Sequence, residues 1–444
     1  MRAWGHPLTA MANYFVSTAG NNTNAGTLAA PWLTLTFSLT QLVAGDTLSV
    51  RGGTFIENLT STMPQGSNWT TLAINVSRYS TEEVWVRPSG GAMCLRFDGQ
   101  TYHIWTGIGL DGINLTDATA GALQFNAGNN IRYRDAEIKN AFWCGVATSQ
   151  SNGFGTAYEL INLEIHDNGR STGGAASHGI YFSSSSGAST GLTTSHLVER
   201  CTIYNNTRFT NTYGIQIWGD VAGTDRLGGI VMRRNLIRNN ANGIYAGDAV
   251  AVPQQIYNNI LRDNDFMGLD VGARSSGTLV ANNTVDGNGD FGITVGQLGL
   301  ARNIQLVNNA ITANTQRPIR VINTDTGSYA SIRSNNFNGN SLDSVLDENG
   351  LSTLSSNSTT APGYVNAATN DFHLAPASQN IDAGSTVTEV TNDFDGVARP
   401  QGAGYDIGGY EFVGSTGARI SQYPVWQLMP LHSPGLQALS VRRL

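Results

Sequence analysis

Asn235-Leu-Ile-Arg-Asn-Asn240, Asn259-Ile-Leu-Arg-Asp-Asn264, Asn283-Thr-Val-Asp-Gly-Asn288, Asn309-Ala-Ile-Thr-Ala-Asn314 and Asn335-Asn-Phe-Asn-Gly-Asn340 are five copies of one phrase, with an asparagine at each end and usually an apolar residue in the middle. Their first asparagines are 24, 24, 26 and 26 residues apart. A fixed period of that length predicts a solenoid whose coils stack on one another. A second phrase follows a few residues after each copy: Gly243-Ile-Tyr-Ala246, Gly268-Leu-Asp-Val271 and Gly292-Ile-Thr-Val295, with looser relatives at Gly179-Ile-Tyr-Phe182 and Gly214-Ile-Gln-Ile217. Short alternation bounded by Gly and Asn predicts a strand, not an amphipathic helix. The fold class is therefore all-β, with three short strands in each coil.

Recurrence of Asn has a physical reason. A coil's corner aims backbone groups at the next coil, and buried polar groups need partners. An amide both donates and accepts, so identical amides stacked at the ~4.8 Å strand spacing can bond along the stack. Asn235, Asn259, Asn283, Asn309 and Asn335 are predicted to form this ladder, and loss of one is expected to cost about 1–3 kcal/mol.

Composition agrees. The 444 residues would fill two or three ordinary domains, but a stack in which each coil needs only its neighbours favours one elongated domain. Glycine is abundant at 52, charged residues make up 13%, and the 25 basic residues include a single lysine, Lys139. A net charge of −7 without a basic run argues against nucleic acid as a partner. No apolar stretch of about 20 residues offers a membrane span. The first ten residues lack the apolar core of a secretory signal, and Met11 is an alternative start. Cys94, Cys144 and Cys201 have no metal-like spacing; Cys201 falls where an earlier copy of the phrase would place its ladder residue, so packing is the expected role.

The chain divides into an extension (1–12), a cap with the first coils (13–83), the main stack (84–342), a closing module (343–413) and a tail (414–444). The cap includes a short helix within 31–43, since an open solenoid end exposes core and strand edge. About ten coils would give a rod of roughly 50 Å.

The opening Tyr14-Phe-Val-Ser17, with Gly45-Asp-Thr-Leu48 and Arg51-Gly-Gly-Thr-Phe55, resembles the N-terminal segment of right-handed parallel β-helix proteins of the pectate-lyase-like superfamily. Asp371-Phe-His-Leu374 with the segment to Gly384, Asp393-Phe-Asp-Gly396 and Tyr405-Asp-Ile-Gly-Gly-Tyr-Glu411 is similar to the choice-of-anchor module that closes bacterial surface β-helices. The resemblance spans about residues 13–413 and implies an extracellular, cell-surface or virion setting. It does not fix an activity, because this scaffold carries lyases, hydrolases, epimerases, phage tailspikes and adhesins.

In that superfamily the outward side chains of the Gly-led strands line a carbohydrate groove. Alternation then places outward the residue before each Gly and the second one after it. These are His178 and Tyr181, Tyr213 and Gln216, Asn242 and Tyr245, Met267 and Asp270, and Phe291 and Thr294. His178, Tyr181, Tyr213, Gln216, Trp218 and Tyr245 are thus candidates for binding a polysaccharide, with rings against sugar faces and amides on hydroxyls. Long turns at 167–177, 183–195 and 219–228 would wall the groove.

Asp220, Asp248, Asp270 and Arg274 are the catalytic candidates on this face. Paired carboxylates suit retaining or inverting hydrolysis according to their separation. With nearby carbonyls they also suit Ca²⁺, the one cofactor the resemblance suggests. The chain departs from its relatives elsewhere. A lyase base in this superfamily is usually Lys or Arg, yet Lys139 precedes the turn residue Asn140, where solvent exposure is expected. Asn323-Thr-Asp325 matches only the first element of the polygalacturonase series, and the epimerase Asp-Pro-His-Glu is missing. His166 and His178 read as turn or face residues.

Tyr423, Trp426, Leu428 and Leu431 form a Pro-broken apolar strip in the tail. It would either dock on another subunit, giving a homotrimer or larger assembly, or fold back over the last coil. Three readings remain open: a glycan-recognising β-helix, a polysaccharide lyase or glycoside hydrolase, and a purely structural solenoid.

Overall fold

The computed structural model describes residues 11–60, 63–148, 155–170, 176–183, 195–206, 211–219, 227–247, 252–272, 275–297, 301–322 and 330–414. Each copy of the Asn phrase is a corner, a three-residue strand and a second corner. In one coil the strand Val231–Arg233 ends at Arg234, with a left-handed φ of 59°. Asn235, the strand Leu236–Arg238, the left-handed Asn239, Asn240 and the Gly-led strand Asn242–Ala246 follow. One left-handed residue turns an extended chain sharply, and Asn adopts that conformation at less cost than most residues. Asn258, Asn282 and Asn308 hold the first corner of the next three coils at φ 54°, 52° and 56°.

Strands this short present one central side chain to the interior. Met232, Ile256, Val280, Leu306 and Ile332 form one buried column, and Ile237, Leu261, Val285, Ile311 and Phe337 form the next. Strand pairs between coils are parallel, and the Gly-led strands make a separate ten-stranded sheet from Leu95–Asp98 to Leu346–Asp347. The core is one continuous cluster from Val16 to Phe337.

Side-chain amides run along the stack as expected. Asn235 Nδ2 donates to Asn259 Oδ1 at 3.0 Å, and the chain of amides continues through Asn283, Asn309 and Asn335 to Asn357 at 2.9–3.0 Å. Each Oδ1 also accepts the backbone N–H of the coil before it. The second asparagine of the phrase builds a parallel ladder from Asn168 through Asn206, Asn240, Asn264, Asn288 and Asn314 to Asn340. Cys201 heads the first ladder: its N–H donates to Asn235 Oδ1 at 2.9 Å, and its thiol is buried and free.

Glycine leads the third strand because nothing larger fits. A Cβ at Gly268 would stand 2.8 Å from the Gly292 carbonyl oxygen and 2.9 Å from the Asn288 amide nitrogen, and Gly243 and Gly292 are as tightly placed. Removing the side chain lets the coil close onto the second ladder.

The ends are covered differently. At the N-terminal end the helix Leu35–Gln41 is capped by Thr34 Oγ1 and buries Leu35 and Leu39. The Glu57 carboxylate accepts the N–H groups of Leu35 and Thr36 at 2.8 Å, where a helix start favours negative charge. After Asn357 the chain does more than close the stack. It doubles back along the outer flank, placing Val387, Val390 and Tyr405 on Tyr257, Leu279, Ala281 and Val307. Phe372, Phe394 and Tyr410 cover Ile260 beside Leu236. The buried side chains of Arg399 and Glu411 pair at 2.6 Å inside this module, and Arg399 also donates to the Gly408 carbonyl at 2.8 Å. The tail strip around Trp426 lies outside the described residues.

Candidate functional site

Register brings the outward residues of the Gly-led sheet into one row. Tyr181 pairs with Gln216, Gln216 with Tyr245, Tyr245 with Asp270, and Asp270 with Thr294. Their neighbours Ile180, Ile215, Ile244, Leu269 and Ile293 face the core. N-terminally the row continues through Ala147, Gln124 and Arg96, whose looser strand phrases concealed them in the sequence.

A groove of about 820 Å³ lies over the N-terminal half of this row. Tyr181, Gln216 and Trp218 line it, half-buried, with His178 and Tyr213 in its floor. Trp143 also lines it, held by its indole N–H on the Ala176 carbonyl at 2.7 Å and meeting Tyr181 edge-on at 5.5 Å. Gln124, Arg96 and Asp117 occupy the far end, with Arg96 paired to Asp98 at 2.6 Å. Half-buried rings interleaved with amides offer apolar faces and hydrogen bonds side by side.

His178 is 1% exposed, and its Nδ1 accepts the Tyr213 N–H at 3.1 Å. Burial pushes its pKa down to about 3, so it is neutral across the physiological range. It is a fixed part of the floor and not a freely exposed face residue.

Two other outward residues lie deeper than alternation alone indicates. Tyr245 does not line the groove: it is fully buried, its ring laid against Gly247 and Gly272, where a Cβ would stand 2.5 and 2.2 Å from the ring. It packs within 5.7 Å of both Tyr213 and Trp218 and supports the groove from below. Asp270, beside it in register, is 0% exposed, and neither carboxylate oxygen has a hydrogen-bond partner. Burial alone raises its pKa to about 8. At neutral pH it is predominantly a carboxylic acid.

Asp220, Asp248, Arg274 and Asn323-Thr-Asp325 lie outside the described residues, as does much of the three long turns. Among the described residues no group of three or more His, Cys, Asp or Glu side chains converges on a metal position.

Lys139 is not on an open surface. Its ammonium lies 4.1 Å from the Trp85 ring centroid and 2.6 Å from Glu137, because the flank beside it is an aromatic and carboxylate cluster. His166 stacks on Tyr204 in the same cluster. Burial opposes its charge, but bonds to Asp167 and Glu137 outweigh burial and lift its pKa to about 9. A histidine held protonated is a poor base at neutral pH.

Comparison with known proteins places the fold. The family profile described as the right handed beta helix region matches residues 144–337. Pectate lyase Pel9A superposes with a TM-score of 0.56 over 90% of this chain and 96% of that one, at 16% identity. XylC in complex with xylose gives 0.55 over 90% and 98%, at 11% identity. The A-module of the mannuronan C-5 epimerase AlgE4 from Azotobacter vinelandii gives 0.51 over 71% and 86%, at 14% identity. No curated protein matches the chain in sequence. The protein is a right-handed parallel β-helix.

Proposed function

We propose that this protein binds a polysaccharide lengthwise in the groove over its Gly-led sheet, as an extracellular or virion-associated β-helix. The observation that carries this reading is the registered pair of Tyr181 and Gln216, with Trp218 two residues along the Gln216 strand, lying open in one groove beside Trp143. Similar folds titled pectate lyase, mannuronan epimerase and a xylose complex support a saccharide as the ligand class.

A second reading, catalysis, is favoured by Asp270. A fully buried carboxyl without partners is costly to keep, and groups with strongly shifted pKa concentrate at functional sites. Protonated and beneath the aromatic floor, it would act as the general acid of glycoside cleavage once the side chains over it open to the substrate. Asp220 or Asp248 would supply the second carboxylate or a Ca²⁺ ligand.

A glycan-array and polysaccharide-digestion screen, run with and without Ca²⁺, tests both readings. Trp218→Ala and Tyr181→Ala should each weaken binding by about 5- to 20-fold with the fold retained, the magnitude of a lost ring contact. Unchanged binding in both variants would remove the groove from consideration. Release of reducing ends or of an unsaturated product by the parent, lost in Asp270→Asn while binding persists, would establish an enzyme. Silence across a broad panel would move the weight to a structural solenoid.

A further inference from the structure

We propose that the C-terminal end of the stack is a docking face for the chain's own segment 419–431, which closes it as a final strand. Ile256, Val280, Leu306, Ile332 and Leu354 follow one another in register along one core column. The first four are 0% exposed, whereas Leu354, in the last coil, is 53% exposed. Leu342, in the same terminal stretch, is 54% exposed, and Val345 is only partly covered. The strand Thr353–Ser355 pairs with Ser331–Arg333, and Leu346–Asp347 with Ile319–Val321, each on one side only. The polar part of this end is finished: Asp343 Oδ1 accepts both the N–H and the Nδ2 of Asn340 at 2.9 Å, terminating the second ladder. Among the described residues nothing comparable covers Leu354, because the closing module runs along the flank instead. An end left this way exposes core and strand edge together, the two things a cap removes.

Three features identify the occupant. Val425-Trp-Gln-Leu-Met429 is a mostly apolar run between Pro424 and Pro430. Alternation in a strand puts Trp426 and Leu428 on one side, suited to Leu354, and the flanking prolines, which lack an N–H, stop the pairing at both ends. Charge is complementary as well. Residues 341–358 carry Asp343, Asp347 and Glu348 with no Lys or Arg, whereas 415–444 carry Arg419, Arg442 and Arg443 with no Asp or Glu. Two such ends meeting about a two-fold axis would set carboxylates against carboxylates, and the N-terminal end of a second copy is already closed by the helix Leu35–Gln41. Reach is sufficient too. Tyr410 lies on Ile260, and Ile260, Thr284, Ala310, Asn336 and Ser358 are successive register partners. Those four steps come to about 19 Å at the coil spacing. The eleven residues from Gly414 to Val425 span up to about 35 Å.

Hydrogen exchange followed by mass spectrometry on the full chain tests the assignment. In the parent, the backbone amides of 353–356 should exchange at least about tenfold more slowly than in the double variant Trp426→Asp/Leu428→Asp. The amides of Val280 and Ala281, inside the stack, should be equally slow in both, which separates loss of the cover from loss of the fold. Ser355→Cys/Gln427→Cys should form a disulfide within one chain on mild oxidation, the three native cysteines being buried. Fast exchange at 353–356 in the parent, protection unchanged by the double variant, or no disulfide within the chain would each overturn the proposal. So would protection that rises with protein concentration as a dimer appears, which would make a second copy the occupant.

Discussion

Asp270→Asn is expected to change the pH dependence of stability more than any other single substitution in the chain. A carboxyl whose folded pKa lies near 8 keeps a proton that the unfolded chain releases near pH 4. Stability therefore falls as pH rises between those values, by about 1.4 kcal/mol per unit, and is flat below and above the window. Asparagine has the same shape and no charge to bury, so the variant lacks this slope. Denaturant unfolding at pH 5, 6, 7 and 8 should show the variant gaining on the parent at each step, to several kcal/mol by pH 8. A difference that stays constant across the series would mean that the carboxyl finds a partner or water in solution.

The second large effect is expected within the first ladder. Asn283→Ala removes an amide that accepts from both the N–H and the side chain of Asn259 and donates to Asn309 and to the Ile256 carbonyl. Several fully buried polar groups lose partners at once, so the cost should be about 3–6 kcal/mol, above the single-bond figure that the repeat alone suggests. Asn357→Ala, at the half-exposed end of the same ladder, is the internal comparison. Water reaches its neighbours, and the loss should be less than half as large. Equal losses at the two positions in chemical denaturation would count against the ladder as the main use of these amides.

Much of the fold was legible because it is written as a period. Corner, strand and corner recur in six residues, and Gly marks where one coil must approach the next, so chemistry too local to fail by register gave both the stack and the groove face. The site was less legible for a related reason. Alternation says that Tyr245 and Asp270 point away from the core, and they do, but it is silent on whether that side is open. Gly247 and Gly272 are what let the Tyr245 ring lie down, and the repeat phrases do not include them. Trp143 and Gln124 escaped because their coils depart from the repeat, although both line the groove. The backward path of the module was equally hidden, since it depends on the apolar outer column at Tyr257, Ala281 and Val307, which resembles ordinary strand alternation until its partner is known.

That backward path alters how the molecule can come apart. A bare solenoid unravels coil by coil, because each unit answers only to its neighbours. Here Arg234 is bonded to Phe394, Asn282 to Asp406 and Asn308 to Ser385, contacts spanning 160, 124 and 77 residues. These coils share a single brace, so fraying from the C-terminal end cannot proceed past one without releasing all. Amide exchange in this half should report one cooperative opening, while the N-terminal coils loosen in graded steps. The brace also follows every coil it ties in chain order, so newly synthesised coils wait, individually reversible, until it arrives.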